Sequence, residues 1–169
     1  MKNSSTKNLQ NPTKMPREIT NLGIPNFEGK VLLGLKKRGF GAGKWNGFGG
    51  KVENGETIEA SLRREFQEEC GLQAIATEKI GILEFEYKGA NKNIEMHIFK
   101  IKSFEGEMHE SEEMQPQWFL TDQIPLEKMW LDDKIWIPHF LANKKFKGYF
   151  LFEGFEKISR YELKNVEKF

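Results

Sequence analysis

The sequence has almost no cysteine, no long apolar run and no excess of charge of either sign. A single thiol, Cys70, cannot form an intramolecular disulfide, so a disulfide-stapled scaffold is excluded and a reducing compartment is expected. Uninterrupted apolar stretches are of the order of Val31-Leu32-Leu33, far short of the about 20 residues a membrane-spanning helix needs. No secretory apolar segment stands near the start. A formal net charge of +1 leaves no broad field to draw the chain to nucleic acid or anionic lipid. Nucleic acid polymers and membranes are therefore not expected partners. A soluble, cytoplasmic protein is expected, with nuclear or mitochondrial placement left open. What is present, 169 residues of which 38% are hydrophobic and 12% aromatic, suits one domain with one core, and a monomer is expected.

Residues 1–17 are rich in Asn, Ser, Thr, Lys and Pro and contain no acid, a composition that predicts a disordered tail ahead of a domain over 18–169. The same composition is faintly like a mitochondrial presequence, but Pro12 and Pro16 interrupt any amphipathic helix there. Residues 18–30 read as irregular, punctuated by Gly23, Pro25 and Gly29. Val31–Leu35 reads as a buried strand, and the next fifteen residues hold six glycines, hence a tight loop. A helix is expected from Glu56 to Cys70, stopping at Gly71. Strands follow at 79–88 and 94–102 around a Gly89-Ala90-Asn91 turn, then at Gln117–Leu120. A second helix from Asp133 to Lys145 must accommodate Pro138, and a last hairpin pairs Tyr149–Glu153 with Ile158–Leu163. This order predicts an α+β fold, or an αβα sandwich, around a mixed sheet with two main helices.

The first helix carries an anomaly. At about 100° per residue, Ile58, Leu62 and Phe66 form its apolar stripe, and Glu65 and Glu69 fall on or beside that stripe, with Glu68 at its border. Burying carboxylates is costly, and clustered ones raise each other's pKa, so a positive partner is required. Acids at i, i+3 and i+4 suit a hard divalent cation, although an isolated EFQEE run is more often a solvated face paired with Arg63 and Arg64.

The wider context is Gly50-x5-Glu56-x7-Arg64-Glu65-Phe66-x-Glu68-Glu69-x-Gly71-Leu72. It resembles the Nudix box, GX5EX7REUXEEXGU, at every fixed position. The resemblance implies a Mg2+-dependent pyrophosphohydrolase, with Mn2+ as a substitute. Its metal would be held by Glu65, Glu68 and Glu69, with Gly49 and Glu113 beside them. It implies catalytic roles for the same three glutamates and for Arg64, the latter chiefly by pairing with Glu56 to hold the loop. The metal would neutralise phosphate charge while a glutamate directs water, with no covalent intermediate. Lys36 and Lys51 flank the glycine loop and are the natural phosphate contacts.

The likeness extends to GLKKRGFGAGKWNGFGGKVENGET, WFLTDQIPLEKMWLDDKIW and KKFKGYF, and there it is to the animal MutT-homologue branch, whose members act on 8-oxo-dGTP and 2-hydroxy-dATP. It implies a small-molecule nucleoside triphosphate as substrate, in a role that cleans the nucleotide pool and prevents DNA damage. The implied binding residues are Lys36, Phe40, Asn46, Phe48, Gly49, Gly50, Lys51, Phe85, Trp130, Asp132 and Asp133, with Met114 and Tyr87 beside them. The residue types suit recognition of a purine. Trp130 offers a flat face, Asn46 both donors and an acceptor, and adjacent acids can share a proton. Without that context, Asp132 would be read as a helix N-cap. Trp45, Trp118 and Trp136 are expected in the core; His97, His109, His139 and Cys70 receive no role. The likeness fails over residues 18–30, where the family's apolar strand, with its pocket threonine and leucine, has no clear counterpart. Two alternatives therefore stay open: a Nudix enzyme for another nucleotide, and a weak nucleotide-binding module with a spoiled sheet.

Overall fold

The computed structural model describes residues 16–169. In chain order the elements are β1 (Glu18–Phe27), β2 (Lys30–Lys36), β3 (Trp45–Asn46), α1 (Ile58–Cys70), β4 (Gln73–Lys88), β5 (Lys92–Glu105), β6 (Met114–Leu120), a 3-10 turn at Leu126–Lys128, α2 (Asp133–Leu141), β7 (Phe146–Glu153) and β8 (Lys157–Asn165). The sheet runs β3-β2-β1-β5-β4-β7-β8, with β6 on the other side of β2. It is mixed: β1 with β5 and β4 with β7 are parallel, the remaining pairs antiparallel. Two apolar clusters make it a sandwich. α1 brings Phe66 and Cys70 against Leu32, Phe48 and Met114, and α2 brings Trp136, Ile137 and Phe140 against Leu83, Phe146 and Phe150. The expected α+β sandwich with a mixed sheet and two main helices is the observed architecture.

The stretch read as irregular is instead a central strand. β1 lies parallel to β5 from Glu18↔Ile94 to Pro25↔Ile101, and residues 20–25 are buried. Its alternation is intact but unusual. Leu22 and Ile24 enter the cluster that α2 covers, whereas Asn21 and Gly23 turn to α1, where Asn21 Nδ2 donates to Ser61 Oγ at 3.0 Å. A Cβ on Gly23 would lie 2.7 Å from Leu62 Cδ1 and 2.8 Å from Ile101 Cδ1, so the glycine is what lets α1 sit so close. Small and polar residues here do not mark a solvated or broken strand. They fit it under a helix. Pro25 is tolerated for a related reason. The N–H groups of Asn21 and Gly23 point to the glycine loop, so by alternation the missing donor of Pro25 falls on that edge, where the partner changes from the loop to β2. Leu22 and Ile24 do the strand's packing, while Phe27 is exposed.

Other departures are smaller. α1 starts at Ile58, two residues later than expected, because Thr57 Oγ1 accepts from Ala60 N at 3.1 Å and caps it; Gly71, at φ 81°, ends it. α2 ends at Leu141 rather than Lys145, with Pro138 inside it. β4 and β5 are longer than expected because register shifts near Ala74 and Lys79 absorb the irregular stretch. β6 starts at Met114 and includes Pro116, which is acceptable on an edge strand. Of the expected disordered tail, residues 1–15 lie outside the described residues, and Arg17 bonds Glu84 and Glu95 at 2.9 and 3.4 Å, which places it in the domain. Among the described residues no helix is long and apolar enough to cross a membrane.

Candidate active site

The glycine loop takes its shape from β1. Gly23 and Phe48 exchange both backbone hydrogen bonds, at 2.6 and 2.9 Å, Asn21 N donates to Gly50 O at 3.0 Å, and Val52 N donates to Ile19 O at 3.0 Å. A Cβ on Gly49 would collide with the Asn21 carbonyl oxygen and lie 2.7 Å from its carbon. Only glycine permits that approach. The loop is thereby pressed between β1 and α1. Ser61 Oγ donates to Lys51 O at 3.1 Å from the helix side.

α1 meets this loop with its acids. Glu69 is only 7% exposed and accepts from Gly49 N at 3.1 Å. Burial first, then the charge of Glu65, pushes its carboxyl up to about 8. The Glu65 carboxyl is also raised, again chiefly by burial, and a Cβ on Gly50 would lie 2.8 Å from its carboxyl carbon. Glu68 faces outward, its side chain 60% exposed, and reaches Arg64 at 3.4 Å. Glu113 is held by Arg38 at 2.6 Å. Among the described residues, no group of three or more acids, histidines or cysteines is gathered tightly enough to hold a metal. The chemistry of the donors still fits a divalent cation. Of these two inward carboxylates one turn apart, both raised by burial, Glu65 is offset only by Arg64, and Glu69 makes no ion pair among the described residues.

Arg64 ties the assembly together. It grips Glu56 through Nε at 2.6 Å and a second nitrogen at 3.1 Å, and donates to Glu65 at 2.9 Å. The guanidinium holds the Glu56 carboxyl down to about 2 and is itself raised by the same bond. Its pairing is that of a brace between the loop and the helix.

A cavity of about 230 Å³ opens beside this assembly. Glu69, Gly49, Gly50, Lys36 and Lys51 line one part of it. Lys36 is near enough to lower the Glu69 pKa, and Lys51 pairs with Glu18 at 2.9 Å. Phe40, Asn46, Phe85, Tyr87, Met114 and Trp130 also line it. Asn46 Oδ1 accepts from Gly47 N at 3.0 Å, which leaves its NH2 as the donor for a ligand. Asp132 and Asp133 are both buried in the wall. Asp133 Oδ2 accepts from Trp130 N at 2.9 Å and Asp132 Oδ2 from Trp136 Nε1 at 3.0 Å. Asp132 occupies the N-cap position of α2 but makes no side-chain cap bond, so capping does not account for it. Burial raises the Asp132 carboxyl to about 6, and burial together with the Asp132 charge raises Asp133 well above the usual carboxylate range.

One expected contact is corrected. Phe48 does not line the cavity: it is fully buried and packs edge-on against Phe66 at 5.4 Å, so only its backbone serves the site. Sequence reasoning also missed Thr20, Leu22, Lys92, Met96 and Trp136 as lining residues. Thr20 and Leu22 line the cavity from β1, the stretch that had no clear counterpart of the family's strand in the sequence. Trp136 is both core, as expected, and wall. Trp45 and Trp118 pack on Phe119 and Phe104. Cys70 is buried under α1, its thiol pushed up to about 12 by burial, and serves no site.

A mixed sheet between two helices, with a glycine loop clamped onto a helix that turns glutamates inward, is the arrangement of one hydrolase class, and the chain belongs to it: the NUDIX domain model matches residues 16–140, and the chain is a member of the Nudix family. Its relatives narrow the likeness. It is 54% identical over 139 residues to the oxidized purine nucleoside triphosphate hydrolase of Danio rerio, spanning 82% of this chain and 89% of that protein. It is 50% identical over 140 residues to the Mus musculus protein of the same name, spanning 83% and 90%. The solved structure of the mMutator MutT protein from Bacillus halodurans matches with a TM-score of 0.77 at 30% identity, over 86% of this chain and 97% of that one. Divalent metal use is general in this family.

Proposed function

We infer that this protein hydrolyses oxidised purine nucleoside triphosphates, such as 8-oxo-dGTP and 2-hydroxy-dATP, to monophosphate and pyrophosphate. The observation that carries this reading is a single cavity shared by an inward glutamate, a stacking face and a buried pair of acids: Glu69, Trp130, Asp132 and Asp133. The relatives named for this activity in zebrafish and mouse support it.

The metal would be Mg2+, with Mn2+ as a substitute, held by Glu65, Glu68 and Glu69 with Gly49 and Glu113 beside them. Bound there, it would neutralise phosphate charge and polarise phosphoryl oxygen. The chain's own residues do the rest. One of the box glutamates orders the water and takes its proton as the water oxygen bonds to phosphorus and the phosphoanhydride P–O bond breaks, separating monophosphate and pyrophosphate. Arg64 braces Glu65 and the loop through Glu56. Lys36 and Lys51 offset phosphate charge, beside the Gly49 and Gly50 backbone. Phe40, Phe85 and Trp130 enclose the base, and Asn46 donates to its edge. Asp132 and Asp133 sharing a proton present a donor and an acceptor together, a pattern suited to a base whose edge oxidation has changed. A monomer acting in the cytoplasm on this pool would keep oxidised bases out of DNA. A weak binding module loses its ground, because the strand whose failure would have favoured it is formed and buried.

The test is metal-dependent pyrophosphate release from a panel of 8-oxo-dGTP, 2-hydroxy-dATP, dGTP, dATP and CTP. Oxidised purines should exceed their parent bases by about tenfold or more in kcat/KM. Equal rates across the panel, or none, would overturn the reading.

A further inference from the structure

Phe40 stands between two glycines in left-handed backbone, Gly39 at φ 76° and Gly41 at φ 85°, and is 42% exposed. Its own loop offers no adjacent side chain to fix its rotamer. Neighbours from elsewhere do. Its ring lies 4.9 Å from Trp130, a cavity wall, and 5.1 Å from Phe155, which meets it edge-on at 72° from the β7–β8 turn. Phe155 also packs on Tyr87 at 5.3 Å. Over the Phe40 ring, 4.6 Å from its centre, sits the ammonium of Lys92, the first residue of β5 after the β4–β5 turn. Lys92 itself lines the cavity, whereas Phe155 does not.

We propose that Phe155 and Lys92 are positioning residues that hold Phe40 as the outer wall of the base-binding part of the cavity. The proposal rests on the purine reading above. Phe155 is 40% exposed at the tip of a turn, where burial gives little reason for a large aromatic ring. What it touches are two rings that line the cavity. Lys92 contributes a cation–π contact with Phe40 and a positive charge at the mouth, favourable both to the ring face and to an anionic nucleotide. Three segments distant in sequence, the glycine loop and the two hairpin turns, thus close into one rim.

The experiment is steady-state hydrolysis by Phe155→Ala and Lys92→Met in the full chain with metal, using 8-oxo-dGTP. An aromatic pair of ordinary strength predicts a rise in KM of about 3- to 10-fold for Phe155→Ala with kcat within about twofold. Phe155→Tyr, which keeps the ring, should restore the wild-type KM. In a Phe40→Ala background the further change Phe155→Ala should move KM much less than in the wild type, with only the Tyr87 contact left to lose, an outcome that a purely structural role at the turn does not produce. Lys92→Met should raise KM in the same way, and should lose part of its effect in high salt. A wild-type KM in Phe155→Ala, or equal effects with and without Phe40, would overturn the proposal while leaving the purine reading intact. A wild type inert toward every purine triphosphate would remove that reading and the proposal with it.

Discussion

Gly49→Ala is the sharpest probe of how the site is held. An added Cβ would collide with the Asn21 carbonyl oxygen, its nearest contact, and sit 2.7 Å from the carbonyl carbon, so the two backbones must separate by about 1 Å. Neither partner is a flexible side-chain end; both are main chain. The same displacement drives the loop toward α1 and distorts the 3.1 Å bond from Gly49 N to Glu69. It also strains the bonds that Asn21 and Gly23 make with the loop. Losing two to four such bonds costs about 2–4 kcal/mol at about 1 kcal/mol each. For a domain of this size that lowers Tm by about 5–15 °C. Turnover should fall further than stability, by about 10²–10³, because Glu69 loses the donor that orients it. Gly50→Ala provides the contrast. Its Cβ would meet the Glu65 carboxyl at 2.8 Å, the movable end of a side chain, so activity should fall with little change in Tm. Calorimetry and pyrophosphate release on both variants decide the matter. Wild-type Tm and turnover in Gly49→Ala would refute the clamp.

Glu69→Gln keeps shape and removes the inward charge, so turnover should drop by about 10²–10³ with the fold retained by circular dichroism; activity within about threefold of wild type would end its assignment to the metal. Asp132→Asn and Asp133→Asn should each change the 8-oxo-dGTP to dGTP ratio more than they change hydrolysis of triphosphates generally, and equal losses on all substrates would point to packing alone. The raised Asp132 pKa also sets a direction for stability. A carboxyl whose folded pKa of about 6 exceeds its unfolded value supports the fold most below about 4 and progressively less as pH rises through 6, so the wild-type Tm should decline across that window more steeply than that of Asp132→Asn. Amide hydrogens of Leu22–Ile24 should exchange only with global unfolding, as expected of a central buried strand; exchange at loop rates would contradict the pairing of β1.

How much could be read from the chain depended on whether a residue's role was local. The α1 helix was legible because its αL stop and its inward acids lie within one segment, although its cap, Thr57, was read as part of the helix. Asp132-Asp133 beside Trp130 was singled out only through the family resemblance, since alone the pair reads as a helix cap. β1 was not, because half of its alternation, Asn21 and Gly23, faces a helix rather than water, and small residues in that role look like a broken strand. Phe48 was misassigned because it stands among loop residues that do line the cavity, yet β1 fixes the loop so that its ring turns into the core. The outward turn of Glu68 at the edge of the stripe, and the capture of Glu113 by Arg38, depend on side-chain partners that helical spacing does not specify. Lys92 and Phe155 sit in or beside turns without any motif, and only the folding of two distant hairpins brings them to Phe40.

The clamp of β1 on the glycine loop also has a consequence in time. β1 is the first strand described, yet its parallel partner is β5, with contacts such as Thr20 to Glu95 spanning 75 positions. Pairings of that range form slowly, since the entropy of closing the intervening chain is lost before any contact compensates it. The loop and α1 are neighbours in sequence and complete early during synthesis, but the strand that presses the loop into shape has only its short pairing with β2 until β5 has emerged. A nascent chain halted before that point would carry every acid of the box and still have no site. Metal affinity should therefore appear abruptly with chain length rather than grow with each glutamate added.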